Sequence, residues 1–239
     1  LAFSPAGLKS WLTLLPNWLK TRLHLPRVIK KGLDGKYRRR IVFPEHHESH
    51  AASAFFPSPF TEAAILTVDG VGEWATASYG TGRDNRIELT HEMHYPHSLG
   101  LLYTAFTYYC GFQVNSGEYK LMGLAPYGNR ERGLREFRKI YRRLPEGQWE
   151  YTSRRCSHWE LPRVPEGSMP QEVMDFAAGL QAALEDILSH MLLHFQGVTG
   201  HEVLCAAGGV TLNCAAIGKV LASGLFKRVL VAPVAHDAG

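Results

Sequence analysis

Apolar residues recur along this chain with two different periods, and the change from one to the other separates helical from extended regions. Over residues 7–24, Leu8, Trp11, Leu12, Leu15, Trp18 and Leu19 are spaced as on one helix face, with Pro16 and Pro26 predicted to break the pattern into short amphipathic helices. Arg40 to Phe43 is apolar enough for a short strand that Pro44 ends, and His46 to Phe56 has an alanine-rich tail favouring helix, stopped by Pro57 and Pro59. From Ala63 the period shortens. Ala63–Val68, Trp74–Tyr79 and Ile87–Met93 are β-rich runs separated by the turn clusters Asp69–Gly72 and Gly80–Asn85, which predicts an antiparallel meander. A helix over His97–Tyr109, closed by Gly111, precedes an Arg-, Pro- and Gly-rich stretch at 130–169 read as a loop. The strongest helical repeat is Phe176, Leu180, Leu184, Ile187, Leu188, Met191 and Phe195, with Pro170 before it and Gly197 predicted to end it. A strand over Glu202–Ala206, the pair Gly208-Gly209, a helix over Asn213–Ser223 and a strand over Arg228–Val231 complete an alternation that belongs to an α/β layer.

An apolar share of 45% in 239 residues is enough for a buried core and argues against disorder. No apolar run has the eighteen or so residues of a membrane helix and no signal-peptide pattern opens the chain, so a soluble, cytoplasmic protein is expected. Cys110, Cys156, Cys205 and Cys214 form no C-x-x-C pair, which suits a reducing compartment better than a disulfide framework or a zinc knuckle. The chain opens on Leu1 and stops soon after its last predicted strand, and both ends are read as truncations. Charge is uneven: residues 1–40 hold ten Lys/Arg against the single acid Asp34, a local +9 that leaves −5 for the remainder of a chain totalling +4. A solvated face or a contact with another part of a larger protein accounts for that basic segment more simply than RNA.

The segment Glu45-His46-His47-Glu48-Ser49-His50 carries the candidate chemistry. On a helix, residues four apart share a face, so the imidazoles of His46 and His50 can close on one metal ion while His47 points elsewhere. The zinc-protease pattern H-E-x-x-H does not apply, because His47-Glu48-Ser49-His50 is one residue short and Glu48 is turned roughly 200° from the shared face. Spacing alone leaves open whether these are ligands or ordinary hydrogen-bonded histidines. A third ligand has to come from elsewhere: Asp69 and Asp237, each at a predicted strand end, are the candidates, and for Asp69 a turn role is an equal reading. Gly208-Gly209, between a strand and a helix capped by Asn213, can let backbone N–H groups approach an anion or be no more than a turn.

Five stretches carry a resemblance: His46–Phe60, Thr67–Thr76, Pro96–Tyr103, Ser116–Gly128 and Gly208–Asn213. They resemble, in family order, the carbamoyltransferases that include NodU-type nodulation proteins and antibiotic O-carbamoyltransferases, over about residues 7–239 and least well at 130–169. The resemblance implies an α/β fold of the actin-like, Hsp70-like ATPase (ASKHA) type built from two RNase-H-like halves: the end of the first over residues 1–60, and an incomplete second over 61–239 with an insertion at about 130–169. It implies a divalent metal, Fe(II) above others, on His46, His50, Asp69 and Asp237, and nucleotide contacts at Gly117, Glu118, Gly208, Gly209 and Asn213, with Gly100 as an addition. The implied reaction passes a carbamoyl group from carbamoyl-adenylate, made from ATP and carbamoyl phosphate at a separate YrdC-like domain, to a hydroxyl of a small-molecule acceptor. No YrdC-like stretch is present and the family's N-terminal strand with an aspartate and a histidine is absent, so this piece by itself is expected to be inactive or nearly so. A homodimer is compatible with the family.

No residue stands out as the base that takes the acceptor's proton; His47 and His97 are the two considered. Acceptor specificity is expected to reside in 130–169. An ASKHA-type kinase would share the fold and the Gly-Gly turn but needs no histidine pair, and an RNA-binding module would explain the basic segment but not the histidines.

Overall fold

The computed structural model describes residues 8–152, 164–165 and 168–237. The chain divides after Pro44 into two compact units. In the first, helix α1 (Leu8–Lys20) is followed by a 3-10 turn (Arg22–His24) and helix α2 (Leu25–Gly32). Pro26 sits in the first turn of α2, where its missing N–H costs nothing. Pro16 was expected to break a helix, yet α1 runs through it; what is lost is the one hydrogen bond its nitrogen cannot donate. The strand expected at 40–43 does not form: Val42 and Phe43 are exposed and unpaired with any strand among the described residues. A short apolar run has no ladder without a neighbour to supply it.

The second unit is built on a five-stranded mixed sheet, order β3-β2-β1-β6-β7. Strands β1 (Glu62–Gly72), β2 (Ala75–Arg83) and β3 (Arg86–His94) form the expected antiparallel meander, and β6 (Val203–Ala207) and β7 (Arg228–Val231) add in parallel to β1. β1 is central, and its run Ala63–Val68 is buried throughout, as a strand covered on both faces must be. The turn expected at Asp69–Gly72 is displaced: β1 continues through Gly72 with an irregular register after Val68, and Glu73-Trp74 make the turn.

Side chains alternate along β1, so one face takes Ala63 and Ile65, packed with Ala51, Ala54 and Phe55 of helix α3 (His46–Phe55) and with Cys205, Ala207, Ala232 and Ala235. The other takes Ala64, Leu66 and Val68 into the larger core beneath α4 (Leu99–Tyr109) and α7 (Gln171–Thr199). α7 is 29 residues long, about 43 Å, and passes the glycine expected to end it. Gly197 stays helical; Gly200, in the left-handed conformation, is the C-cap. α5 (Glu118–Leu124) and α8 (Cys214–Ala222) complete the helical layers with α6 (Arg130–Phe137), which lies in the region read as loop. That region also holds a hairpin, β4 (Tyr141–Arg143) with β5 (Trp149–Tyr151), while 153–163 and 166–167 lie outside the described residues. Asn129 caps α6 by accepting from the Arg132 N–H, and Phe137, Tyr141 and Trp149 anchor the segment in the core. Three aromatic anchors among many arginines do not make a period legible in the sequence. No described helix is long and apolar enough to cross a membrane.

Helices α6 and α7 cross at Gly133 and Gly179: a Cβ on Gly179 would lie 2.3 Å from the Gly133 carbonyl carbon. Gly179→Ala is therefore expected to lower the thermal midpoint, by about 1–3 kcal/mol of stability. Gly197→Ala on the same helix, where an added Cβ meets nothing within 4 Å, should raise stability by roughly 0.5–1 kcal/mol. Thermal denaturation followed by circular dichroism reads both signs.

Candidate metal centre

The period of α3 and the period of β1 meet at one point. His46 and His50 stand one helical turn apart on the sheet-facing side of α3, and Thr67 and Asp69 continue the β1 face begun by Ala63 and Ile65. Asp69 Oδ2 lies 2.9 Å from His46 Nε2 and 3.1 Å from His50 Nε2, and the two Nε2 atoms are 3.0 Å apart. From the turn after β7, Asp237 Oδ1 comes within 3.5 Å of His46 Nε2 and 3.3 Å of His50 Nε2. All four ligand atoms fall within 4.8 Å of one another, so the four residues singled out in the sequence are brought together.

Hydrogen bonding does not satisfy this triangle. For Asp69 Oδ2 to accept from both rings, each Nε2 must carry a proton, and the two N–H groups then face each other across 3.0 Å. If one nitrogen gives up its proton to relieve that contact, its lone pair faces the carboxylate instead. A cation at the centre, with every lone pair directed inward, removes the conflict. The spacings around the two imidazoles also fit: ligand atoms about 2.1 Å from a metal lie ~3.0 Å apart at octahedral angles and ~3.4 Å at tetrahedral ones, against 2.9–3.5 Å for the five distances that involve an imidazole. Two imidazoles and two carboxylates are a donor set suited to Fe(II), Zn(II) or a similar ion.

Burial works against the charged form of Asp69, but bonds from His50 and His46 and from the Gly70 N–H outweigh it and hold the carboxyl well below the usual carboxylate range. Asp69 Oδ1 accepts from the backbone N–H groups of Gly70 at 2.8 Å and Gly209 at 3.3 Å, leaving Oδ2 for the cluster. Asp69 is thus held as an anion with one oxygen tied down, as a metal ligand has to be. Asp237 is mostly exposed and has no comparable support among the described residues.

His47, on another side of α3, is buried and committed. Its Nε2–H donates to the Ala75 carbonyl at 3.1 Å, so Nδ1 is left to accept from the Thr67 hydroxyl at 2.6 Å. With both nitrogens tied into the sheet, His47 locks α3 onto β1 and β2 and is not placed to move a proton. His97 has its Nδ1 accepting from the Tyr151 N–H at 3.0 Å, and burial lowers its pKa.

The residues implied as nucleotide contacts occupy four places. Gly208 and Gly209 follow β6 beside Asp69: Gly208 has φ +92°, its N–H donates to the Ala235 carbonyl at 2.8 Å, and a Cβ there would lie 2.3 Å from the Val68 carbonyl oxygen. Of the two readings open for this pair, an anion-approaching turn or a simple turn, the bonds favour the second: both N–H groups are used within the fold. Asn213 caps α8 by accepting from the Ala216 N–H at 3.0 Å and exchanges a pair of bonds with Gln181 of α7. Gln181 in turn donates to Glu185, which pairs with Lys219 and Arg130. Gly117 and Glu118 lie together at the start of α5, where the Glu118 carboxylate accepts from the N–H groups of Asn115 and Gly117. Gly100 is a close approach of α4 to the site strand: a Cβ there would sit 2.6 Å from the Asp69 carbonyl oxygen. Ser98 closes the same junction, capping α4 through Leu101 N–H and donating to the Gly70 carbonyl at 2.5 Å. Sequence reasoning missed Ser98 and Gln181. A serine before an apolar helical run is a cap signal that was available for the first; nothing local marks the second.

Comparison with known proteins gives a consistent picture. The family model described as "Carbamoyltransferase N-terminus" matches residues 1–239. An uncharacterized protein of Synechocystis, sll1178, is 45% identical over 260 residues, covering 100% of this chain and 42% of the relative. The nodulation protein NolNO of Sinorhizobium fredii is 40% identical over 84% of this chain and 30% of its own length, and NolO of Bradyrhizobium diazoefficiens 39% over 81% and 36%. The chain thus spans less than half the length of these relatives.

The packing of His47 yields a pH dependence. Burial, and then the neighbouring His46 and His50, lower its pKa from 6.5 to about 4. Between those values the unfolded chain binds a proton that the folded chain does not, so stability rises with pH there and is lost as pH falls, by roughly 3 kcal/mol for this shift. Thermal melts of the chelator-treated chain should fall in midpoint as pH drops from about 6.5 to 4, and His47→Gln, though less stable near neutrality, should show a flatter fall.

Proposed function

The chain belongs to the carbamoyltransferase family, and from that premise we propose that it is the metal-bearing acyl-transfer part of an O-carbamoyltransferase. The observation that carries this reading is the convergence of His46 Nε2, His50 Nε2 and Asp69 Oδ2 within 3.1 Å of one another, with Asp237 closing the set. In this reading those four residues hold a divalent ion, Fe(II) by expectation. When bound, such an ion withdraws electron density from the carbamoyl oxygen and the adjoining phosphate, making the carbonyl carbon easier to attack.

This chain's own residues then have defined tasks. Asp69 has its Oδ1 tied down by the N–H groups of Gly70 and Gly209, which leaves Oδ2 toward the cluster. His47 fixes the rotation of α3, so that His46 and His50 need no rearrangement to meet it. The nucleotide side in this reading is formed around Gly208, Gly209 and Asn213, together with Gly117, Glu118 and Gly100. Since the Gly208 and Gly209 N–H groups are used within the fold, these residues would shape that side by close packing and not by donating from those two amides. The substrate in this reading is carbamoyl-adenylate, made from ATP and carbamoyl phosphate at a YrdC-like domain elsewhere in a longer protein, and the acceptor is a small-molecule hydroxyl. A five-stranded mixed sheet with helices on both faces is compatible with one RNase-H-like half of an ASKHA-type fold. An ASKHA-type kinase would require neither the histidine pair nor its acidic partners, which is why the carbamoyl-transfer reading is preferred.

Elemental analysis of the purified chain should find a divalent metal near one per chain, lost on His46→Ala and His50→Ala and weakened by Asp69→Asn. The same substitutions in a full-length protein should abolish carbamate formation on added hydroxyl acceptors. Wild-type chain that stays metal-free after reconstitution under anaerobic conditions with Fe(II), Zn(II) and Co(II) would sink the reading.

A further inference from the structure

Helix α3 carries two of the candidate ligands but no cap of its own. Its N-cap residue, Glu45, makes no side-chain bond to the helix, so the first N–H, that of His46, has no local partner. The partner comes from 27 residues away: Glu73 Oε2 accepts from the His46 N–H at 3.2 Å. Glu73 occupies the first position of the two-residue turn between β1 and β2, which pairs Gly72 with Ala75, and its φ is +52°. Glycine is the residue favoured at such a position, since an L side chain there crowds its own backbone. A glutamate stands at a site where glycine would sit more easily, and its carboxylate accepts from the helix that presents the histidines. The residue before it completes the arrangement. Gly72 lies flat against the His46 ring, and a Cβ there would be 2.3 Å from His46 Cδ2.

We propose that Glu73 is a positioning residue of the metal centre: its carboxylate anchors the first turn of α3 against the β1–β2 turn and so sets where the His46 and His50 rings meet Asp69. The inference rests on the metal reading above. A helix N-terminus attracts negative charge, and a carboxylate on its first N–H fixes both the axial position and the rotation of that turn. His46 belongs to the turn so fixed and is the ligand whose ring moves most if the anchor is released. His50, one turn further along the helix and more deeply buried, moves less.

The test is Co(II) titration of the chain, followed through the ligand-field absorption bands, for wild type and three variants, each with its thermal midpoint measured without metal. Glu73→Ala should weaken Co(II) binding roughly ten-fold and alter the band pattern, as loss of an outer-shell support does. Glu73→Gln, which keeps an acceptor oxygen, should recover most of that affinity. Glu73→Gly separates positioning from folding: it relieves the left-handed backbone, so its metal-free midpoint should equal or exceed that of Glu73→Ala while its Co(II) affinity stays as weak. Variants that bind Co(II) like wild type, or affinities that simply follow the thermal midpoints, overturn the inference and leave the metal reading standing. Failure of wild type itself to bind Co(II) overturns both.

Discussion

Everything at the candidate centre depends on the alternation of side chains along β1 beneath α3. Ala63, Ile65, Thr67 and Asp69 point to the same side of the sheet, and that side changes character along its length. Alanine and isoleucine pack on Ala51, Ala54 and Phe55, threonine receives His47, and aspartate receives His46 and His50. A one-residue slip of β1 would send Asp69 into the opposite face and put Val68 under the imidazoles. Apolar packing at one end of α3 therefore sets the register that the polar cluster at its other end requires.

The polar end has a cost that the fold meets by pairing. Asp69, His47, His50 and Thr67 are removed from water in whole or large part, and each is supplied with partners from a different segment of the chain. What no arrangement of protons supplies is a satisfactory contact among His46, His50 and Asp69 at once. A second buried polar group lies along α7, where Gln181 and Glu185 join Asn213 and Lys219 of the α8 segment and Arg130 of α6. Through Asn213 it ties the segment that follows β6 to α7.

Much of the architecture was legible because it rests on local periods. The meander, the helices α3, α4, α7 and α8 and the strands β6 and β7 all follow from spacing, and the i, i+4 histidines were readable as a pair from the helix repeat alone. The errors came where local rules competed with packing. Gly197 reads as a helix end, but the hydrogen-bond ladder runs on through it until Gly200, whose left-handed backbone makes the cap and whose N–H donates to the Gln196 carbonyl. Asp69-Gly70 looked like a turn, yet pairing with β2 extends the strand through Gly72. The 130–169 segment looked like a loop because its arginines mask three aromatic anchors.

The sequence by itself determined which residues could be ligands, since the repeat of a helix and the ends of strands are properties of neighbouring positions, and its longer motifs determined the family. Only the tertiary structure decided that Asp69 and Asp237, 168 positions apart in number, meet the same two imidazoles, that His47 is sealed into the sheet, and that Glu73 reaches back to the start of α3. Contacts between distant segments are set by how sheet and helices pack, and no local pattern of residues records where another segment will come to lie.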